Sequence, residues 1–163
     1  MIPVELLARL LVALALLSQI TCNPSKKIMR QLDIHLRIRE SQNKLYCTTL
    51  FNNTGDEPIF LNKTDICYEQ EELTRELYKI SADGREIPYI GVLVKRGKAT
   101  ADDFLLLSPG ERITTIARLD DVYGFLAGRH TYSIQYSVYH SSPEKTPQLN
   151  EFESPITYFD FTR

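Results

Sequence analysis

The side chains able to do chemistry are three histidines, three cysteines and two pairs of adjacent aspartates. A zinc hydrolase needs two histidines one helical turn apart, with a glutamate between them to activate the metal-bound water. His35, His130 and His140 do not meet that pattern: none opens an H-E-x-x-H run and none lies four residues from another. A site built from all three would have to be assembled across the fold, and nothing in their spacing prepares it. The acid pairs Asp102-Asp103 and Asp120-Asp121 are also poor catalysts, because adjacent residues on a strand face opposite ways. On loops they lack the compact run of oxygen ligands that calcium takes. They read as turn carboxylates, with Asp120 or Asp121 capping a short helix. The seven glycines are dispersed among turns and form no phosphate-cradling loop. The chain is therefore expected to be no enzyme and to carry no metal or cofactor.

The cysteines speak to compartment. Leu6 to Leu17 is apolar except for Arg9. A dozen or so apolar residues suit a signal-peptide core and fall short of a bilayer span. Residues 1–22 are read as a signal peptide of secretory or lipoprotein type, 23–29 as a tether and 30–163 as one domain. A buried first helix is the competing reading. Cleavage before Asn23 would release a secreted or periplasmic protein. Lipidation of Cys22 would anchor it at the cell envelope. In either case Cys47 and Cys67 remain as an even pair in an oxidising compartment. A bridge between them is expected, closing a loop of about 20 residues and adding about 3 kcal/mol in the chain-entropy view. Two buried free thiols are the alternative.

The 163 residues carry a net charge of -2, with 43% hydrophobic and 25% charged side chains. That composition supports a packed core. Lys and Arg are scattered among Asp and Glu, without the basic stripe of a nucleic-acid binder. Nine Tyr, seven Phe and no Trp favour strands.

Strand signals fill the chain. Gln31 to Glu40 alternates, with Leu32, Ile34, Leu36 and Ile38 on one face. Lys44 to Asn52, Ile59 to Leu61 and Leu77 to Ser81 follow. Ala82-Asp83-Gly84-Arg85 is a hairpin turn, and Glu86 to Val94 is expected as its second strand. Phe104 to Leu107 is wholly apolar and expected to be buried on both faces. Arg112 to Leu119, Thr131 to Tyr139 and Ile156 to Phe161 complete the set. Asp65 to Glu76 reads as a helical turn or a long loop, Asp120 to Leu126 as a short helix or corner, and Ser141 to Glu153 as a loop. Tyr132, after the Gly128 turn, is either a tyrosine corner or a half-buried strand residue. About seven to nine strands at short spacing predict an all-β fold, an immunoglobulin-like Greek-key β-sandwich preceded by the signal-peptide helix.

An ordered set of positions carries a resemblance: Asn52, Tyr89 and Gly91, Lys95 and Arg96, Asp103, Leu107 with Gly110, Leu119 and Tyr123, then Gly128, Tyr132 and Tyr136. From about Met29 to Tyr158 the chain resembles the immunoglobulin-like amino-terminal pro-region of the deuterolysin and lysine-specific metallo-endopeptidase family. That region precedes a zinc peptidase and is associated with keeping the enzyme inactive and helping it mature. The peptidase itself, with its H-E-x-x-H helix, is missing from this sequence. The resemblance implies an exported protein-binding sandwich, a stand-alone inhibitor or chaperone-like pro-region for a secreted metallopeptidase. An envelope-anchored adhesion or structural module without a peptidase partner is the alternative. Lys95-Arg96-Gly97-Lys98 is the one basic cluster, and Tyr89, Lys95 and Arg96 are the candidate partner contacts; a plain solvated loop is the bland reading. No nucleic-acid partner is expected, and membrane contact only through Cys22.

Overall fold

The computed structural model describes residues 31–143 and 149–163. The expected leader, tether and lipidation site at Cys22 lie outside these residues. Among the described residues ten strands form, β1 Leu32–Ser41, β2 Lys44–Asn53, β3 Ile59–Asn62, β4 Tyr78–Ala82, β5 Arg85–Glu86, β6 Phe104–Leu107, β7 Arg112–Arg118, β8 Arg129–Ser141, β9 Leu149–Glu153 and β10 Thr157–Thr162. One 3-10 turn, Ala101–Asp103, is the only helical element among the described residues.

The strands make an all-β sandwich. One sheet has the order β1-β2-β7, and the other β10-β8-β4-β5 with β9 also on β8. This is the A-B-E against C-F-G arrangement of immunoglobulin-like Greek keys, with β5 extending the second sheet. A separate ribbon, β3-β6, stands at the side. Two-residue turns fix the register of two hairpins. Gln42 and Asn43, with φ of 52° and 59°, join β1 to β2, and Asp83 and Gly84, with φ of 51° and 73°, join β4 to β5. Both residues of such a turn take positive φ because that twist matches the strands it connects.

Alternation along β2 buries Leu45, Cys47, Thr49, Phe51 and Asn53. These meet Tyr78 and Ile80 of β4 and Tyr132, Ile134, Tyr136 and Val138 of β8. Aromatic edges hold the layers together: the Tyr136 ring stands 5.3 Å from Phe51 and 5.9 Å from Tyr78, both edge-on. A hydroxyl bond at 2.8 Å links Thr49 of one sheet to Tyr78 of the other. Tyr132 is a tyrosine corner: it is fully buried and its phenol oxygen accepts the Leu126 amide at 3.1 Å.

Three expectations are corrected, and two open alternatives are decided. The partner strand at Glu86 to Val94 stops after Glu86, and only an isolated bridge between Tyr89 and Tyr123 follows; Pro88 has no amide hydrogen to continue the ladder. Phe104 to Leu107 is not buried on both faces. Leu106 is 49% exposed, because β6 pairs only with β3 at the rim. The segment before Glu153 is partly strand, since Leu149–Glu153 pairs with the far end of β8. Asp120 to Leu126 is a corner, with the Val122 and Tyr123 amides both on the Leu119 carbonyl. The Asp65 to Glu76 segment resolves as turns and loop, with Cys67 and Glu69 in left-handed backbone at φ 55°.

Between β9 and β10 the pairing with β8 slips by one residue, from Ser137↔Glu153 to Ile134↔Thr157. Ser154 fills the bulge: its amide donates to the Tyr136 carbonyl and its hydroxyl accepts the Tyr136 amide, each at 3.0 Å. A hydroxyl thus replaces the ladder group displaced by the extra residue, beside Pro155.

Candidate protein-binding surface

The five residues Ile90-Gly91-Val92-Leu93-Val94, expected as part of a strand, turn their apolar side chains to water. Val92 is 70% and Leu93 73% exposed, and Ile90 and Val94 are exposed beside them. Their backbone is pinned at both ends. The Ile90 and Gly91 amides both donate to the Val122 carbonyl, at 2.8 Å and 3.2 Å, and the Val94 amide donates to the Thr74 carbonyl at 3.1 Å. The Pro88 carbonyl accepts the Gly124 amide at 2.9 Å. Beneath the segment the Tyr89 phenol lies 3.0 Å from the carbonyls of both Leu73 and Val92. Its ring meets Tyr123 edge-on at 5.4 Å. Gly91 is required here: a Cβ would come within 2.6 Å of the Tyr89 Oη and 2.9 Å of the Val122 Cβ. The result is an apolar segment held in shape by the fold while its side chains stay outside. A contiguous exposed apolar stretch of this kind is a candidate interaction surface, and holding it in one shape beforehand would lower the ordering cost of binding.

Val94 passes the chain into the basic run, which borders a cleft of about 570 Å³. Arg96, Lys98, Asp65, Arg75, Tyr139 of β8 and Leu149 of β9 line it. Asp65 is ion-paired with Arg75. Burial nevertheless raises the Asp65 carboxyl above its usual range, against the pull of the Arg75 charge. Asp103 also borders the cleft; its carboxylate accepts the Thr100 amide at 2.7 Å and hydroxyl at 2.9 Å, which holds its pKa low. Arg96 reaches the Thr74 hydroxyl at 3.4 Å.

Of the expected contact residues, Arg96 lines the cleft and Lys95 is exposed. Tyr89 is half-buried and sits under the exposed segment. The expected Cys47–Cys67 bridge is corrected, for both cysteines are free and buried. Cys47 faces the core from β2, 3.7 Å from the Thr49 hydroxyl, whereas the Cys67 thiol donates to the Gln70 carbonyl at 2.8 Å. Burial pushes both thiols up to about 11.

The histidines do not converge. His35 is exposed on β1, while His130 and His140 lie near opposite ends of β8. His130 meets the Ala127 carbonyl at 3.0 Å. His140 is buried, with Nε2 2.6 Å from the Tyr136 phenol, which itself donates to the Asp65 carbonyl at 2.6 Å. With the phenol proton so committed, Nε2 carries the ring hydrogen and Nδ1 is left without a partner among the described residues. Burial, with the Arg75 charge adding, lowers the His140 pKa to about 4. The acid pairs are structural. Asp120 caps no helix; it accepts the Leu45 amide at 2.9 Å and is gripped by Arg118, which also reaches Asp121 at 3.1 Å.

Sequence reasoning missed the exposure of Ile90–Val94. The signal available was Pro88 and Gly91, two poor ladder residues inside an otherwise strand-like run.

No family model matches the chain. A stretch of 106 residues is 28% identical to an extracellular protease of Aeromonas hydrophila, covering 64% of this chain and 30% of that protein. The chain thus spans about a third of the length of the relative it matches, and the similarity is to a region of a secreted protease.

Proposed function

We propose that this chain is an exported, non-catalytic β-sandwich that binds another protein, and that its partner is a secreted metallopeptidase of the deuterolysin type, inhibited or chaperoned by this module. The observation that carries the reading is the pinned, outward-facing apolar segment Ile90–Val94. The similarity to part of an extracellular protease supports the choice of partner. So does the resemblance to the pro-region of that family. In this mechanism the segment lies along the peptidase's substrate groove and excludes substrate. Val92 and Leu93 bury their side chains there, and main-chain groups pair with the groove as an added strand would. The test is to mix the purified chain with such a peptidase. A complex at micromolar concentration with slowed or delayed proteolysis supports the reading; unchanged proteolysis and no co-elution reject it.

A lipidated Cys22 favours the second reading, an envelope-anchored module without a peptidase partner. The mass of the mature amino terminus separates the two.

A further inference from the structure

The cleft beside the apolar segment holds an uneven set of charges. Its two carboxylates are already engaged: Asp65 with Arg75, and Asp103 with the Thr100 amide and hydroxyl. Arg96 and Lys98 are exposed, and neither has a carboxylate within ion-pair distance among the described residues, although the Arg96 charge acts on both Asp65 and Asp103 from further away. Around them Val94, Tyr139 and Leu149 present apolar surface to solvent. Arg75, Arg96 and Lys98 outnumber the two carboxylates by one positive charge, and this excess next to apolar side chains matches a peptide that alternates carboxylates with apolar side chains. The charges would steer and orient it, and the walls would bury its apolar groups. Val94 belongs both to this cleft and to the pinned segment, so one stretch of partner can run across both.

Resting on the protein-binding reading above, we propose that this cleft is a subsite for an acidic, apolar-flanked peptide segment of the partner, with Arg96 and Lys98 receiving its carboxylates. Recognition here is electrostatic and therefore salt-sensitive, whereas the contribution of Val92 and Leu93 is not.

The test titrates the full mature chain with three probes, followed through backbone amide resonances: the peptides Ac-Glu-Leu-Glu-Leu-NH2 and Ac-Lys-Leu-Lys-Leu-NH2, and inorganic phosphate. Saturable shifts at Val94, Arg96 and Lys98 with the acidic peptide alone are expected. They should weaken at least about fivefold when salt rises from about 0.05 M to about 0.3 M. The double variant R96E/K98E, at two exposed positions, should keep the wild-type melting temperature and lose the shifts. No saturable shift, equal response to the basic peptide or to phosphate, or unchanged binding by R96E/K98E overturns the subsite. A peptidase mixing experiment runs alongside. Peptide binding without a peptidase complex removes the partner assignment and leaves the subsite standing. A complex that forms equally well with R96E/K98E, without peptide binding, does the reverse.

Discussion

The Tyr123 phenol bonds twice to the backbone of Tyr78: it accepts the Tyr78 amide at 3.1 Å and donates to the Tyr78 carbonyl at 2.9 Å. One side chain from the corner after β7 thus satisfies both main-chain groups of the first residue of β4. Tyr123→Phe removes both bonds and leaves a buried N–H and C=O without partners. A loss of about 2–3 kcal/mol is expected, read as a lower urea midpoint at unchanged slope. Tyr132→Phe strands only the Leu126 amide and should cost about 1 kcal/mol. Equal losses for the two variants would show that the double bond to Tyr78 carries no special weight.

Gly91→Ala tests whether the exposed segment is held in shape for a partner. The new methyl would meet the Tyr89 hydroxyl and the Val122 side chain, and the easiest relief is to displace the segment. Partner binding should fall at least about tenfold, while the core, which this segment hardly enters, loses less than about 1 kcal/mol. Val92→Ser with Leu93→Ser should abolish binding with stability unchanged to within about 0.5 kcal/mol. Binding by titration calorimetry and midpoints by urea denaturation decide both. Full affinity in the serine variant would remove the segment from the interface.

Acid should destabilise the fold through His140. An unfolded histidine titrates near 6.5 and the buried one at about 4. Between those values the unfolded chain takes up a proton that the folded chain refuses. Stability is then full above about pH 6.5 and drains as pH falls toward 4, by on the order of 3 kcal/mol. The Asp65 carboxyl, raised by burial, works the other way, since its folded form gains a proton first as the solution is acidified. Arg75 faces both groups and stays charged. His140→Gln should therefore flatten the dependence measured by urea midpoints from pH 7 to pH 4.5. A variant with the wild-type slope would assign the effect elsewhere.

Cys47 and Cys67 should resist alkylation in the native protein. With both thiols pushed up to about 11, almost no thiolate exists at pH 8, and both sulfurs are buried. Iodoacetamide followed by peptide mapping should label both only when guanidinium is present. Rapid native labelling of Cys67 would show that its loop opens readily.

The outline of the sandwich was legible because its main strands obey simple rules. β1 and β2 alternate in register with their burial, and Asp83-Gly84 announces its turn. Legibility failed where exposure depends on what lies alongside. Leu106 and Val92 are as apolar as any core residue, but β6 has one partner and Pro88 ends the ladder before Val92. β9 was hidden because an edge strand such as Leu-Asn-Glu-Phe-Glu is half polar and follows a proline-bearing stretch. The pairing of the cysteines rested on their number, which says nothing of where each thiol points. The cleft escaped notice because its walls come from residues as distant as Asp65, Arg96 and Leu149.

Among the described residues β8 is the one strand that joins β4, β9 and β10 together. Until Tyr132 to Tyr136 have left the ribosome, β4 has no paired strand beyond the two residues of β5. The sheet that holds β4 is therefore unable to close before β8 is made, since its pairings await a strand distant in sequence. A polypeptide wired in this way keeps one layer open while it is being made and shuts it in a single late step, when β8 arrives.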